Sequence, residues 1–553
     1  MFRFLPLFLS APAQSITINK THQGWRHWHP LLFAVLAAFG MTILLNGPFF
    51  HAVADRIPGQ TILQLSLAWL LFSLNLLLLL VFGIGQLQKP VLLLLFFCGA
   101  LSLYFMDSFG VLIDKSMLQN ALETDTAEAT ALLSLNLGWT VITLMVFPLL
   151  LCGLIRLRAL PLKTYLKHWA LAVTLVLLSQ LLLVGTAYAE LAPFFRNFRE
   201  VKHLALPISP ISAAAAVSGQ LLKTRFPDKF SRLGLDAKQK TAKTAKARLL
   251  VLVLGETARA DHFQLNGYQR PTNPKLSQAA VYSFRDVSAC GTATAHSVPC
   301  MFSGMGREHY EEAVAKNSSN VLDILQFAGV QVSWLDNNSG CKGVCDRVEH
   351  QFLFQQHPLC AASPCPDNIL LQALAQQLSA GPQQQDRLIV LHQLGSHGPE
   401  YYRRSSNHEK QFLPECRDKQ LQLCPQQQVI NAYDNSIVAT DLLLAALIKQ
   451  LEQQQHYQST MLYLSDHGES LGENGVYLHG LPYWLAPKAQ TQVPMIWWLS
   501  AQSQQALQLQ HNCLLQRSQQ SASHDNLFHS LLGHFAVQTA LYQPKLDLFR
   551  PCS

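Results

Sequence analysis

Charge is the first thing this chain lacks. Only 14% of its 553 residues are Asp, Glu, Lys or Arg, against about 25% in an ordinary soluble domain. The shortage is worst before residue 190, where Leu, Val, Phe and Ala dominate. Runs such as LLLLLVF and VLLLLFF leave no polar face for water, which excludes amphipathic surface helices there. None of the apolar stretches carries a buried charge pair, which argues against a polytopic transporter. The formal net charge of +7 suits contact with an anionic membrane surface but is too small to imply nucleic acid. No internal repeat is present. Cys341 and Cys345 lack a matching second C-x3-C pair, which weighs against a zinc ribbon.

What is there divides in two. Five apolar segments meet the ~20-residue criterion for a membrane span: 30–50, 61–84, 91–106, 132–155 and 169–189. The third is the shortest. The loop between the last two carries Arg156, Arg158, Lys163 and Lys167 without an acid, which assigns it to the cytoplasm. The acidic loop around Asp107–Glu128 then faces out, the N-terminus lies inside, and the C-terminal half lies outside. The opening MFRFLPLFLS has too short an apolar core, interrupted by Pro6, for a cleaved signal peptide. Ten of the twelve cysteines fall in the outer half. Their close spacing in an exported region predicts disulfides Cys290–Cys300, Cys341–Cys345, Cys360–Cys365 and Cys416–Cys424, and leaves open whether the distant Cys513 and Cys552 pair. Residues 191–245, with two close prolines and KQKTAKTAKAR, read as a connector, either lying on the membrane or solvated.

Beyond 245, strand-like runs (249–254, 330–335, 387–392, 460–464, 493–499) alternate with helical patterns (319–328, 368–380, 428–453). That alternation predicts a layered α/β fold with a largely parallel sheet. Three of the runs end in side chains that bind metals: Gly255-Glu256-Thr257, His392 followed by His397, and Asp466-His467-Gly468-Glu469. The carboxyl ends of buried parallel strands are where such sheets place their chemistry, and carboxylates beside imidazole suit a divalent cation. Cys290–Met301, CGTATAHSVPCM, supplies hydroxyls; a helix starting near Thr294 favours an anion. On these residues alone Thr294 and Thr257 compete as nucleophile, and an N-capping Thr is the plain alternative. His296, His309, His350 and His357 have no strand-end context and read as surface or satisfied histidines.

Together GETARADHFQLNGYQRPTNP, CGTATAHSVPCMFS, DNNSGCKG, GSHGPEYY, NAYDNSI and SDHGESLGENGVYLHG resemble the phosphoethanolamine transferases of Gram-negative envelopes, including the lipid A-modifying and mobile colistin-resistance types. The resemblance implies a five-helix membrane domain (1–190), a connector (191–245) and a catalytic α/β/α sandwich of the alkaline phosphatase–sulfatase type (246–553). It implies a zinc-dependent transfer from phosphatidylethanolamine to a phosphate of lipid A, by a monomer in the inner membrane, with lower polymyxin susceptibility. It carries the zinc ligands onto Glu256, Thr294, Asp466 and His467, with Thr294 as nucleophile. A second zinc, or the phosphoryl group, falls to His397 and His479. Asn338, Lys342, Asn120 and Glu128 become substrate contacts. The alternatives are another envelope acceptor (core heptose, Kdo or a glucan), or a metal-dependent hydrolase.

Overall fold

The computed structural model describes residues 27–123, 129–130, 132–225, 230–240, 246–355, 360, 365–380 and 384–552. In the N-terminal region four helices are long and apolar enough to cross a membrane, or five if one bent pair is a single span. The pair is α1 (Pro30–Leu44) and α2 (Gly47–Arg56), followed by α3 (Thr61–Phe82), α4 (Gln88–Phe109), the short outer helix α5 (Lys115–Glu123), α6 (Leu135–Leu154) and α7 (Leu162–Asn197).

Two spans differ from expectation. The segment 30–50 is not one straight helix but bends by 63° between α1 and α2. Pro48 follows the break and has no N–H to continue the ladder. Buried Asn46 takes over: its amide donates to the carbonyls of Met41 (3.0 Å) and Leu206 (2.9 Å), while Leu206 N–H donates back (2.7 Å). The last span extends well beyond 169–189. At 36 residues α7 is about 54 Å long, so it projects past the bilayer. Helix α8 (Ile208–Arg225) follows it.

The second region is built on a seven-stranded sheet. In chain order its strands are β1 (Ala247–Gly255), β2 (Tyr282–Phe284), β3 (Gln331–Asp336), β4 (Glu349–Phe352), β5 (Arg387–His392), β6 (Tyr457–Ser465) and β7 (Met495–Leu499). In space they run β2-β7-β6-β1-β5-β3-β4. The five from β6 to β4 are parallel; β7 runs antiparallel to β6, and β2, antiparallel to β7, runs the same way as the five. All five expected strands are present. The two unforeseen ones, β2 and β4, are short edge strands whose few residues carry no periodic signal.

Strand β1 shows why its sequence is apolar throughout. Leu250, Leu252 and Leu254 pack into one core with Val298 and Phe302 of α9 (Thr294–Phe302) and Leu322 of α10 (Val321–Phe327). Leu249, Val251 and Val253 face the other core, with Leu444 and Ile448 of α11 (Gln426–Glu452). Side chains alternate between faces, and helices cover both, so both sets must be apolar. Register then decides the site. Gly255 pairs with Ser465, Leu254 with His392, and His392 with Asp336, so β1, β6, β5 and β3 all end at one edge.

That edge faces the membrane region. Gly110, at the end of α4, adopts φ +67°, and a Cβ there would lie 2.7 Å from the Gly475 carbonyl. From α5, Gln119 donates to Glu312 (2.6 Å) and Glu123 accepts from Lys316 (3.4 Å).

Candidate metal centre

Two strand ends and one helix start bring donors to the shared edge. Glu256 follows β1, Asp466 and His467 follow β6, and Thr294 opens α9 in the loop clamped by the Cys290–Cys300 disulfide. All four side chains are buried. Thr294 Oγ1 donates toward Glu256 Oε2 (3.1 Å) and lies 3.3 Å from His467 Nε2. His467 Nε2 stands 3.4 Å from Glu256 Oε1 and 3.4 Å from Asp466 Oδ2. The other ring nitrogen, Nδ1, donates to the Gly468 carbonyl (2.9 Å), which leaves the Nε2 lone pair turned inward. Asp466 Oδ1 accepts the N–H groups of Thr257 (3.1 Å) and His467 (2.8 Å).

The electrostatics of this cluster call for a cation. Burial pushes the Asp466 carboxyl upward, and the Glu256 carboxylate pushes it further. Burial raises Glu256 too, but the imidazoles of His467 and His397 outweigh it and hold that carboxyl below the ordinary range. Two carboxylates this close do not both stay ionised unless positive charge lies between them. Donor atoms of Glu256, Asp466 and His467 lie within 4.8 Å of one another. Asp466 Oδ2 is buried and accepts no hydrogen bond among the described residues. Two carboxylates, an imidazole and a hydroxyl therefore fit a divalent metal such as Zn²⁺.

Beside this set lies a second one. His467, Glu469 and His479 also offer donor atoms within 4.8 Å of one another. Glu469 accepts from Tyr401 (2.5 Å) and pairs with His479 Nδ1 (2.9 Å); burial lifts its carboxyl to about 8. The His397 ring lies 5.9 Å from that of His479. Glu469 stands in the strand end Asp466-His467-Gly468-Glu469 that the sequence marks as metal-binding, but the resemblance gave it no role of its own. Two positions on from His467, it points back into the same space.

The remaining sequence candidates fall around these donors. Asn338, just past β3, donates to Glu256 Oε2 (2.6 Å). Lys342 holds a left-handed backbone (φ +52°), and its ammonium donates to the carbonyls of Glu123 and Ser339 (3.3 Å each). That brings it to α5, the helix that carries Asn120. Glu128 lies outside the described residues. Thr257, the rival nucleophile, is buried with φ +58° and donates to Glu256 Oε1. Of the two threonines, only Thr294 bridges Glu256 and His467. His392 is not a donor to the cluster, as its strand-end position suggested. It stands behind Asn338 (3.2 Å), with Nδ1 held by Asp336 (2.8 Å). His296 packs edge-on to Tyr310, and His309 and His350 are exposed; His357 lies outside the described residues.

The expected disulfides Cys290–Cys300, Cys341–Cys345, Cys360–Cys365 and Cys416–Cys424 are formed, and Cys513–Cys552, which the spacing left open, is formed as well. They differ in what they hold. The first clamps the loop that carries Thr294, whereas Cys360 and Cys365 contribute no donor atom to the clusters around His467. Both are half-buried against the core on the α11 side of the sheet, and residues 361–364 between them lie outside the described residues. The Cys360–Cys365 pair is thus a staple of the fold beside the start of α-helix Asn368–Ala380.

One positioning histidine left no signal in the sequence. His524, buried ahead of α12 (Asp525–His534), donates from Nε2 to the Ser465 carbonyl (2.9 Å). Its Nδ1 accepts from Cys290 N–H (3.0 Å).

Known proteins resemble both regions of this chain. Residues 71–221 match the family model "Phosphoethanolamine transferase EptA/EptB", and residues 248–537 match "Sulfatase". The chain is similar to phosphoethanolamine transferase EptA of Escherichia coli K12, 39% identical over 94% of this chain and 97% of that one. It is similar to phosphatidylethanolamine transferase Mcr-1 of Escherichia coli, 39% identical over 86% and 90%. Among solved structures, the integral membrane lipooligosaccharide phosphoethanolamine transferase A of Neisseria meningitidis superposes with TM-score 0.89 at 32% identity, over 94% and 98%.

Proposed function

The chain belongs to the phosphoethanolamine transferases with a sulfatase-type catalytic region, and from that premise we propose that it moves phosphoethanolamine from phosphatidylethanolamine to a phosphate of lipid A. The observation that carries this reading is the buried contact of Thr294 with Glu256 and His467 in a chain similar to EptA over nearly its whole length. Glu256, Thr294, Asp466 and His467 would hold a zinc ion, and His397, Glu469 and His479 would be available to a second. When bound, zinc lowers the pKa of the Thr294 hydroxyl and offsets charge on the phosphoryl oxygens.

The chain's own residues do the rest. Glu256 accepts the Thr294 hydroxyl hydrogen and aims its oxygen. That oxygen attacks phosphorus as the bond to diacylglycerol breaks, leaving phosphoethanolamine on Thr294. His397 or His479 gives the departing diacylglycerol oxygen a proton, and Glu469 holds the His479 ring. A lipid A phosphate oxygen, its proton taken up by that same imidazole, then attacks the phosphorus and frees Thr294, whose oxygen takes its hydrogen back from Glu256. Asn338, Lys342, Asn120 and Glu128 bind substrate.

Both substrates are lipids, which accounts for the membrane region. We read residues 1–190 as that domain, 191–245 as connector and 246–553 as the catalytic domain. The protein is a monomer of the inner membrane, with its N-terminus in the cytoplasm and its catalytic domain in the periplasm. An amine on a lipid A phosphate reduces net negative charge, so cationic polymyxins bind less well. The test is mass spectrometry of lipid A from cells with and without the protein. Added phosphoethanolamine is expected; unmodified lipid A beside a modified core sugar or glucan would reassign the acceptor.

A further inference from the structure

Outside the catalytic edge, the disulfide-closed loop Cys416–Cys424 meets the membrane region. Asn136, in the first turn of α6, donates to Gln420 Oε1, and Lys419 donates to the Thr130 carbonyl (3.3 Å). The depth of that contact follows from helix length. Helix α6 has 20 residues, which rise about 30 Å; the hydrocarbon core is itself about 30 Å thick. The whole of α6 is needed to cross, so its first turn stands at the boundary between acyl chains and headgroups. Leu135, beside Asn136, is 93% exposed, as a lipid-facing position requires. A loop bonded to Asn136 lies at the same level.

The loop is built for that level. Leu423 and, just before the loop, Leu413 are 60% and 66% exposed, beside Arg417 and Lys419. Apolar tips flanked by long cationic side chains match a leaflet surface, with acyl chains below and phosphates above. The loop is also stiff. Cys416 N–H donates to the Gln428 carbonyl (2.9 Å), and Asp418 accepts from Gln420 N–H (2.9 Å). It leads directly into α11, whose Tyr433 hydroxyl donates to the Thr257 carbonyl (2.8 Å) beside Glu256.

We infer that this loop is a lipid-binding foot: Leu413 and Leu423 enter the phospholipid leaflet on the catalytic side, Arg417 and Lys419 bind headgroup phosphates, and the foot sets the height of the catalytic edge above the bilayer. The inference rests on α6 being a span and not on the transfer chemistry.

The test places the photo-crosslinker p-benzoylphenylalanine, one site at a time, in the full-length protein in inner-membrane vesicles. Positions 423 and 413 probe the foot. Leu149, an exposed residue within α6, calibrates labelling by lipid. Phe327, exposed where α10 leads into the start of β3 and so at the end of the sheet opposite the site, is the negative control. Phospholipid adducts are expected by mass spectrometry at 423, 413 and 149, and none at 327. Labelling at 149 with none at 423 or 413, or adducts there to another polypeptide, would overturn the foot. Because the readout is adduct mass, loss of transfer with labelling intact would sink the proposed activity alone.

Discussion

Replacing His524 tests whether the nucleophile loop and the donor strand are held together as the geometry requires. Its imidazole joins the Ser465 carbonyl, one residue before Asp466, to the Cys290 N–H at the start of the loop that carries Thr294. Ser297 Oγ, which donates to the Asp466 carbonyl, lies 3.3 Å from the same ring. His524→Ala leaves two buried backbone groups unpaired, at roughly 1–3 kcal/mol each. Asn retains the acceptor for Cys290, and Gln retains the donor to Ser465, so each should recover about half of that cost. Activity should fall more steeply than folding, because about 1 Å of misplacement between reacting groups costs roughly 10²-fold in rate. The assay is thermal unfolding and transfer kinetics of the purified full-length protein with a fluorescent phosphatidylethanolamine. The expected pattern is a large loss of kcat with little change in KM, in the order Ala, then Asn and Gln, then wild type. A His524→Ala protein with kcat within about twofold of wild type would refute the coupling.

Thr294→Ala should fold and reach the membrane yet form no phosphoethanolamine adduct. Thr257→Ala should still form one on the Thr294 peptide when incubated with phosphatidylethanolamine alone, and an adduct at any other residue moves the nucleophile. Asp466→Ala and His467→Ala should each lose bound zinc, measured by elemental analysis, together with transfer; retention of the full metal content would remove that residue from the ligand set. Asp441 gives a pH dependence. Burial lifts its carboxyl to about 6, although the N–H groups of Lys275 and Leu276 oppose the rise. Protonation therefore favours the folded state: the contribution is full below about pH 4 and is lost as pH rises through 6, about 3 kcal/mol in all. Asp441→Asn should flatten that part of the Tm-versus-pH curve, and an unchanged slope counts against the assignment. A periplasm-dependent reporter fused after residue 245 should be active; activity of a cytoplasm-dependent one would invert the topology.

The sequence alone determined what local pattern encodes. Apolar runs of about 20 residues without charge became membrane helices because a helix satisfies its whole backbone within one segment in lipid, where a strand needs a closed barrel. Buried strands ending in Glu256 and in Asp466-His467 became the donor set, because register aligns the ends of parallel strands once both faces are covered. Cysteines spaced four to ten residues apart, Cys360 and Cys365 among them, paired as their proximity implied. Tertiary structure alone decided what rests on long-range partners. At the break in the first span Asn46 bonds Leu206, 160 residues away. His392 faces Asp336 and Asn338 because β3 lies beside β5, so a strand-end histidine became a support for the donors. His524 reaches Ser465 and Cys290 from a segment with no motif, 59 and 234 residues distant. The 416–424 loop meets α6 only because the catalytic edge turns toward the membrane. Periodicity is written in neighbouring residues, whereas these contacts depend on which distant backbone groups folding leaves to be satisfied.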